Sequence, residues 1–225
     1  MGARAELEHV IAAHAAKAGA SQQLPASWVM NDMDFDSARR AAVLILFGSA
    51  TAAPLDAAST AADLDLLFVT RADTLRKHAG QVAFPGGGID AEDRSTAAAA
   101  LREAWEETGV DTSGIEVLGQ LAETQLPISN FLVTPVIGWW HRESKVWAVD
   151  QNESAQVFRA PVAHLLDPAN RFSGVVKRGA QKFKSPAFAV EDQIIWGFTA
   201  IVLDKLFGEL GWNTPWDTRR ERLMN

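Results

Sequence analysis

Hydrophobic positions along the chain recur with two different periods. Leu7, Val10, Ile11 and His14 stand at helical spacing and predict a helix over residues 3–18. Two apolar runs, 41–47 and 64–69, have the length and branching of buried strands. The Ala-, Thr- and Pro-containing stretch 48–62 between them reads as an exposed loop. Residues 73–81 are polar and basic, 82–84 form a short strand, and Pro85-Gly86-Gly87-Gly88 breaks regular structure before a helix over 96–108. The local order is therefore strand, glycine loop, helix.

Further on, 115–121 and 131–140 read as strands and 146–149 as another short one. A short helix over 161–166 is bounded by Pro168. Residues 172–176 and 182–188 flank the turn-prone Lys177-Arg178-Gly179 as the arms of a hairpin would. The last strong element is a largely apolar helix over 195–210, ending at Gly211. Interleaved strands and helices with antiparallel hairpins predict a mixed sheet covered by helices, not a doubly wound parallel fold. The chain shows no internal repeat and no clear interdomain linker.

Composition narrows the chemistry. The 225 residues are 48% hydrophobic, enough for one large domain or a domain with extensions. No apolar run approaches the roughly 20 residues that span a bilayer, and residues 1–20 lack the apolar core of a secretory signal, so the expected compartment is the cytoplasm. The absence of cysteine excludes thiolate metal sites and a cysteine nucleophile. A net charge of -7 argues against broad nucleic-acid binding, which rests on cationic contacts to phosphate.

One helix carries an arrangement that works against its own stability. Glu103, Glu106 and Glu107 fall within about 100° of one another on the helix circumference, with Ala97, Leu101, Ala104, Trp105 and Thr108 expected to pack on the other side. Gly109 is a natural C-terminal stop, so these acids sit where the negative end of the helix dipole repels them. A divalent cation held by oxygen ligands removes both penalties, and a hard metal such as Mg2+ suits such a set. Beside this face, Gly86, Gly87 and Gly88 permit positive φ and let backbone amides approach an anion closely.

The segment from Gly88 to Val110 closely resembles the Nudix box. Its second half, Arg102-Glu103-Ala104-Trp105-Glu106-Glu107-Thr108-Gly109-Val110, is complete at every defined position. Its first half departs: Arg94 stands where the common box has glutamate, with Asp93 adjacent and Asp90 nearby. The preceding run from Leu75 through Arg76, Lys77, His78, Gly80, Gln81, Val82, Phe84 and Pro85 to Gly87 resembles the coenzyme A pyrophosphatase branch of that family. Similarity extends through residues 153–158 and 195–200.

The resemblance implies a Nudix-type α/β/α sandwich with a mixed sheet and an extra N-terminal helix. It implies an extension over 1–36, a hydrolase domain over 37–211 and a tail over 212–225. It also implies metal-dependent hydrolysis of coenzyme A or an acyl-CoA to 3′,5′-ADP and 4′-phosphopantetheine or its acyl form. The alternatives are hydrolysis of ADP-ribose, NAD or another nucleoside diphosphate derivative, and a silent nucleotide-binding module. By the same match Glu103 and Glu107 are the principal metal ligands and Glu106 a further or water-mediated one. Arg102, on the flank of the acidic face, is placed to pair with Asp93 or Glu103 and so to hold the loop against the helix and orient the acids. Arg71, Arg76, Lys77 and His78 form a basic stretch placed to receive substrate phosphates, together with Gly86 and Gly87. Glu153 is the candidate to deprotonate the attacking water, and Glu123 is the second choice. Trp139 and Trp140 are candidates to stack on adenine, and Trp196, Phe198 and Ile201 read as core. The partner set is a small-molecule nucleotide, with no nucleic acid and no membrane, and a homodimer is admitted.

Overall fold

A computed structural model describes residues 1–16, 37–51, 53–72, 79–126, 130–179 and 181–224. Helix α1 (Ala3–Ala16) precedes strands β1 (Arg39–Ser49), β2 (Leu64–Arg71), β3 (Val82–Ala83) and β4 (Gly86–Gly88). Then come α2 (Thr96–Thr108), β5 (Ile115–Gln120), β6 (Thr124–Leu126), β7 (Phe131–Trp140) and β8 (Ser154–Pro161). The chain finishes with α3 (Val162–Leu166), β9 (Arg171–Arg178), β10 (Gln181–Val190), β11 (Gln193–Ile195), α4 (Phe198–Glu209) and β12 (Glu221–Leu223). No helix among the described residues is long and apolar enough to cross a membrane.

The main sheet runs β3-β2-β1-β7-β5, with β4 on β1, β6 on β7 and β8 on β2. Strand β1 pairs parallel with β7 and antiparallel with β2 and β4, so the sheet is mixed. Alternation along β1 divides the interior in two. Ala42, Leu44 and Leu46 face a cluster built with Ala99, Ala100 and Ala104 of α2, whereas Ile45 and Phe47 face one built with α1, α3 and α4. The result is helix, sheet, helix. A second sheet, ordered β11-β10-β9-β12, packs through β10 against α4.

The N-terminal helix is integral to one of these layers. Leu7 and Val10 are buried, Arg4 grips both carboxylate oxygens of Glu116 at 2.9 and 2.7 Å, and Trp212 donates its indole N–H to Glu6 at 2.6 Å. His14 Nδ1 accepts from the Ala122 amide at 3.0 Å, which leaves Nε2–H to donate to Glu209 at 2.7 Å. Residues 17 and 18, placed in this helix from the pattern, lie outside the described residues.

Several elements differ from the sequence reading. The triple glycine is strand β4, not a break, because residues without Cβ can lie directly on β1: a Cβ on Gly86 would fall 2.4 Å from the Ala42 carbonyl oxygen. The expected helix over 195–210 splits into β11 and α4 at Gly197, whose φ of 66° and ψ of -140° no helix accommodates. Residues 146–149 pair with no strand. Strand β8 was not anticipated, since its burial lacks a clean alternation. The 212–225 tail is also structured: β12 runs parallel to β9, and buried Arg171 reaches Asn213, Asp204 and the Trp216 ring.

Candidate active site

Helix α2 begins at Ser95, whose hydroxyl accepts from the Ala98 amide at 3.1 Å, and ends at Gly109 with φ of 66°. Its alanines allow close approach to the sheet. Ala104 and Thr108 are buried and Ala97 and Leu101 pack against the core as expected, but the division into an acidic and a packing face fails at three positions. Glu103 and Glu107 project on the sheet side, near buried Ala99, Ala100 and Ala104, while Trp105 points outward with 58% of its surface exposed.

Two glycines make that orientation feasible. The Gly86 amide donates to Glu107 at 3.0 Å, and a Cβ on Gly87 would lie 2.6 Å from the Glu103 carboxylate. These positions therefore seat the acids against β4, a role distinct from the expected anion cradle. Burial, first of all, pushes the Glu107 carboxyl up to about 7. Neighbouring Glu103 and Glu153 push the same way, and the Gly86 amide and Arg71 oppose them. Glu103 is also raised, chiefly by burial, against the pull of Arg102.

Arg102 is the hub of the acidic end. Its Nε and Nη2 fork onto Asp93 at 3.1 and 2.9 Å, its Nη1 donates to Glu103 at 2.9 Å and Glu106 at 3.0 Å, and its Nη2 also reaches the Gly88 carbonyl. The fork holds the Asp93 carboxyl below its ordinary range, helped by the Asp90 amide. Asp93 thus takes the arginine, and Arg94, the departure from the box, is exposed. Glu106 is exposed and turned toward Arg102.

Arg71 and Glu153 arrive from adjacent strands. Ala72 donates its amide to the Glu153 carbonyl at 2.9 Å, and Arg71 pairs with Ser154 across β2 and β8. The Arg71 Nε is buried with no hydrogen-bond partner among the described residues. Such a donor in a half-buried site is costly unless a ligand takes it. Arg76, Lys77 and His78 lie outside the described residues. Glu123 pairs with Arg40 at the surface, and Trp139 and Trp140 are each 2% exposed, packed in the two interior clusters where no base can stack.

No three Asp, Glu or His side chains among the described residues converge as they stand into an ion-holding set. Arg102 draws Glu106, and the Gly86 amide draws Glu107. The donor chemistry nevertheless fits a hard divalent cation: half-buried carboxylates, raised chiefly by burial and further by neighbouring acids, offer oxygen ligands that a cation would stabilise in the ionised form.

A connection that the sequence pattern concealed lies at the end of α2. The amides of Trp147 and Val149 donate to the Thr108 and Glu107 carbonyls at 3.0 and 3.2 Å. The apolar character of 146–149 was legible, but its partner is a helix terminus.

The NUDIX domain family model matches residues 47–175. Two curated relatives, each named "Uncharacterized Nudix hydrolase NudL", come from Salmonella paratyphi B (strain ATCC BAA-1250 / SPB7) and Salmonella newport (strain SL254). Both are 38% identical over 146 residues, covering 65% of this chain and 75% of theirs. A crystal structure of a MutT/nudix family protein from Enterococcus faecalis aligns over 94% of this chain and 75% of that one, at 18% identity and a TM-score of 0.47.

Proposed function

The chain belongs to the Nudix hydrolase family, and from that premise we propose that it hydrolyses the diphosphate bond of coenzyme A or an acyl-CoA, releasing 3′,5′-ADP and 4′-phosphopantetheine or its acyl form. Nudix hydrolases act on pyrophosphate bonds of nucleoside diphosphate derivatives. The coenzyme A assignment within that class is supported by the run from Leu75 to Gly87, which resembles the corresponding branch.

The observation that carries the reading is the meeting of the raised Glu107 carboxyl, its neighbour Glu103 and the unpartnered Arg71 Nε in one half-buried place. Glu103 and Glu107 would hold Mg2+ or Mn2+, with Glu106 released from Arg102 as a further ligand. When bound, the cation neutralises phosphate charge and acidifies water. Arg71 donates to a phosphate oxygen, and the basic residues Arg76, Lys77 and His78 receive the remaining phosphates. The Gly86 and Gly87 backbone holds the acids close, and the Arg102 fork keeps the helix registered on the Asp90–Asp93 turn. Glu153, exposed at the start of β8, accepts the proton of the attacking water.

Incubation with coenzyme A and Mg2+, followed by mass spectrometry, should yield 3′,5′-ADP and 4′-phosphopantetheine, and Glu107→Gln should abolish their release. Equal turnover of ADP-ribose and coenzyme A would remove the substrate assignment. Binding without turnover would replace hydrolysis by a silent module.

A further inference from the structure

The 147–154 segment is hydrogen-bonded to the end of α2 on one side and to Ala72, just past β2, on the other. An α-helix ends with carbonyls that have no partner of their own. Here the Thr108 and Glu107 carbonyls accept from the amides of Trp147 and Val149. The Trp147 ring lies on Gly109, so close that a Cβ there would fall 2.7, 2.8 and 2.9 Å from three of its carbons. Only glycine permits that contact. Asp150 follows immediately: its carbonyl accepts from the amides of Glu153 at 3.1 Å and Ser154 at 2.9 Å, and its carboxylate accepts from the Asn152 amide at 2.8 Å. On the other side, the Glu153 carbonyl is held by Ala72.

We propose that Trp147 is a positioning residue: by clasping Gly109 it locks the 147–154 strap to the helix that carries Glu103 and Glu107, and so sets Glu153 against the reacting diphosphate. Trp147 meets the helix through its ring on Gly109 and its amide on the Thr108 carbonyl, and acts through the backbone. Its exposure of 55% is unusual for a side chain serving the core alone, and its ring seat on Gly109 accounts for it. Small displacements of a catalytic group cost large factors in rate, so a strap with two helix contacts and a turn in which three backbone amides donate to Asp150 matters more to turnover than to stability.

The inference rests on Glu153 acting as the proton acceptor, and its test separates the two. Steady-state hydrolysis of coenzyme A with Mg2+ would be measured for wild type, Trp147→Ala, Trp147→Phe, Glu153→Gln and the Trp147→Ala/Glu153→Gln pair. Trp147→Ala should lower kcat about tenfold, with KM and the Mg2+ half-saturation within about twofold of wild type, and Trp147→Phe should restore most of the loss. In the Glu153→Gln background the same alanine substitution should have little further effect, since the group it positions is gone. Equal losses in both backgrounds would overturn the proposal while leaving Glu153 in place. A Glu153→Gln variant with wild-type kcat would instead overturn the role of Glu153. Amide exchange supplies a readout that needs no turnover: Trp147→Ala should speed exchange at Glu153 and Ser154 by about tenfold or more and leave the β1 amides unchanged. Unaltered exchange at those two amides would refute the strap outright.

Discussion

Glu107→Gln makes the central electrostatic claim measurable without substrate. The carboxyl titrates near 7 in the folded chain against an ordinary 4.5, because burial and the nearby acids oppose its charge. At about 1.36 kcal/mol per pH unit, ionised Glu107 costs the metal-free fold roughly 3 kcal/mol. The sign is that of a raised carboxyl: stability is fully present below about 4.5 and is lost as pH rises through 7. Glutamine removes the charge, its amide oxygen can still accept from Gly86, and the charge assistance of that bond is already included in the net shift. The gain of about 3 kcal/mol should raise Tm at pH 8 by about 6–12 °C in the presence of chelator. Near pH 5, where the wild-type carboxyl is protonated, the two proteins should melt together within about a degree or two. Adding Mg2+ at pH 8 should reverse the order, because the wild type gains ligand-linked stability that the variant lacks. Calorimetric melts at both pH values, with chelator and with Mg2+, test all of this. A variant less stable than wild type at pH 8 without metal would refute the argument, since Glu107 would then be a structural anchor.

Gly87→Ala places a methyl 2.6 Å from the Glu103 carboxylate and should weaken Mg2+ binding, read by calorimetric titration, by about tenfold or more. Arg102→Met removes contacts to Asp93, Glu103, Glu106 and Gly88 together; kcat should fall by about 10–100-fold, and Arg102→Lys should recover little because a single ammonium cannot reproduce the fork. Arg71→Ala should raise KM for coenzyme A while leaving Mg2+ affinity within about twofold, as kinetics and titration would show. Trp212→Ala deletes the donor to Glu6 and part of the cluster under α1, and should cost about 3–5 kcal/mol in denaturant unfolding.

Legibility of the fold followed the strength of local periodicity. The runs at 41–47, 64–69 and 131–140 were plain because strands covered on both faces are apolar throughout. Strand β8 was hidden because its outer positions are polar or small and its identity comes from pairing with β2. The glycine strand ran against propensity: Gly86 and Gly87 sit where β1 and the Glu103 carboxylate of α2 crowd any larger residue out. At the site, the acids were legible from spacing, but their direction was not. A helical wheel distinguishes faces without saying which one meets the sheet, and three alanines decided that Glu103 and Glu107 turn inward. The pairing of Arg102 with Asp93 or Glu103 was legible from its place on the flank of the acidic face; the structure makes both contacts at once and extends them to Glu106 and the Gly88 carbonyl.

The seating of α1 bears on the order in which the chain can assemble. Arg4 and His14 tie it to Glu116 and Ala122 in mid-chain, and two further anchors, Glu6 with Trp212 and His14 with Glu209, join residues 206 and 195 positions apart. Helix α1 therefore completes its berth only after residues 209–212 have been made, and contacts of such long sequence separation form late. A nascent or C-terminally clipped chain will present the apolar stripe of Leu7 and Val10 to solvent. Chaperone capture and proteolysis should accordingly fall on that stripe until Trp212 has arrived.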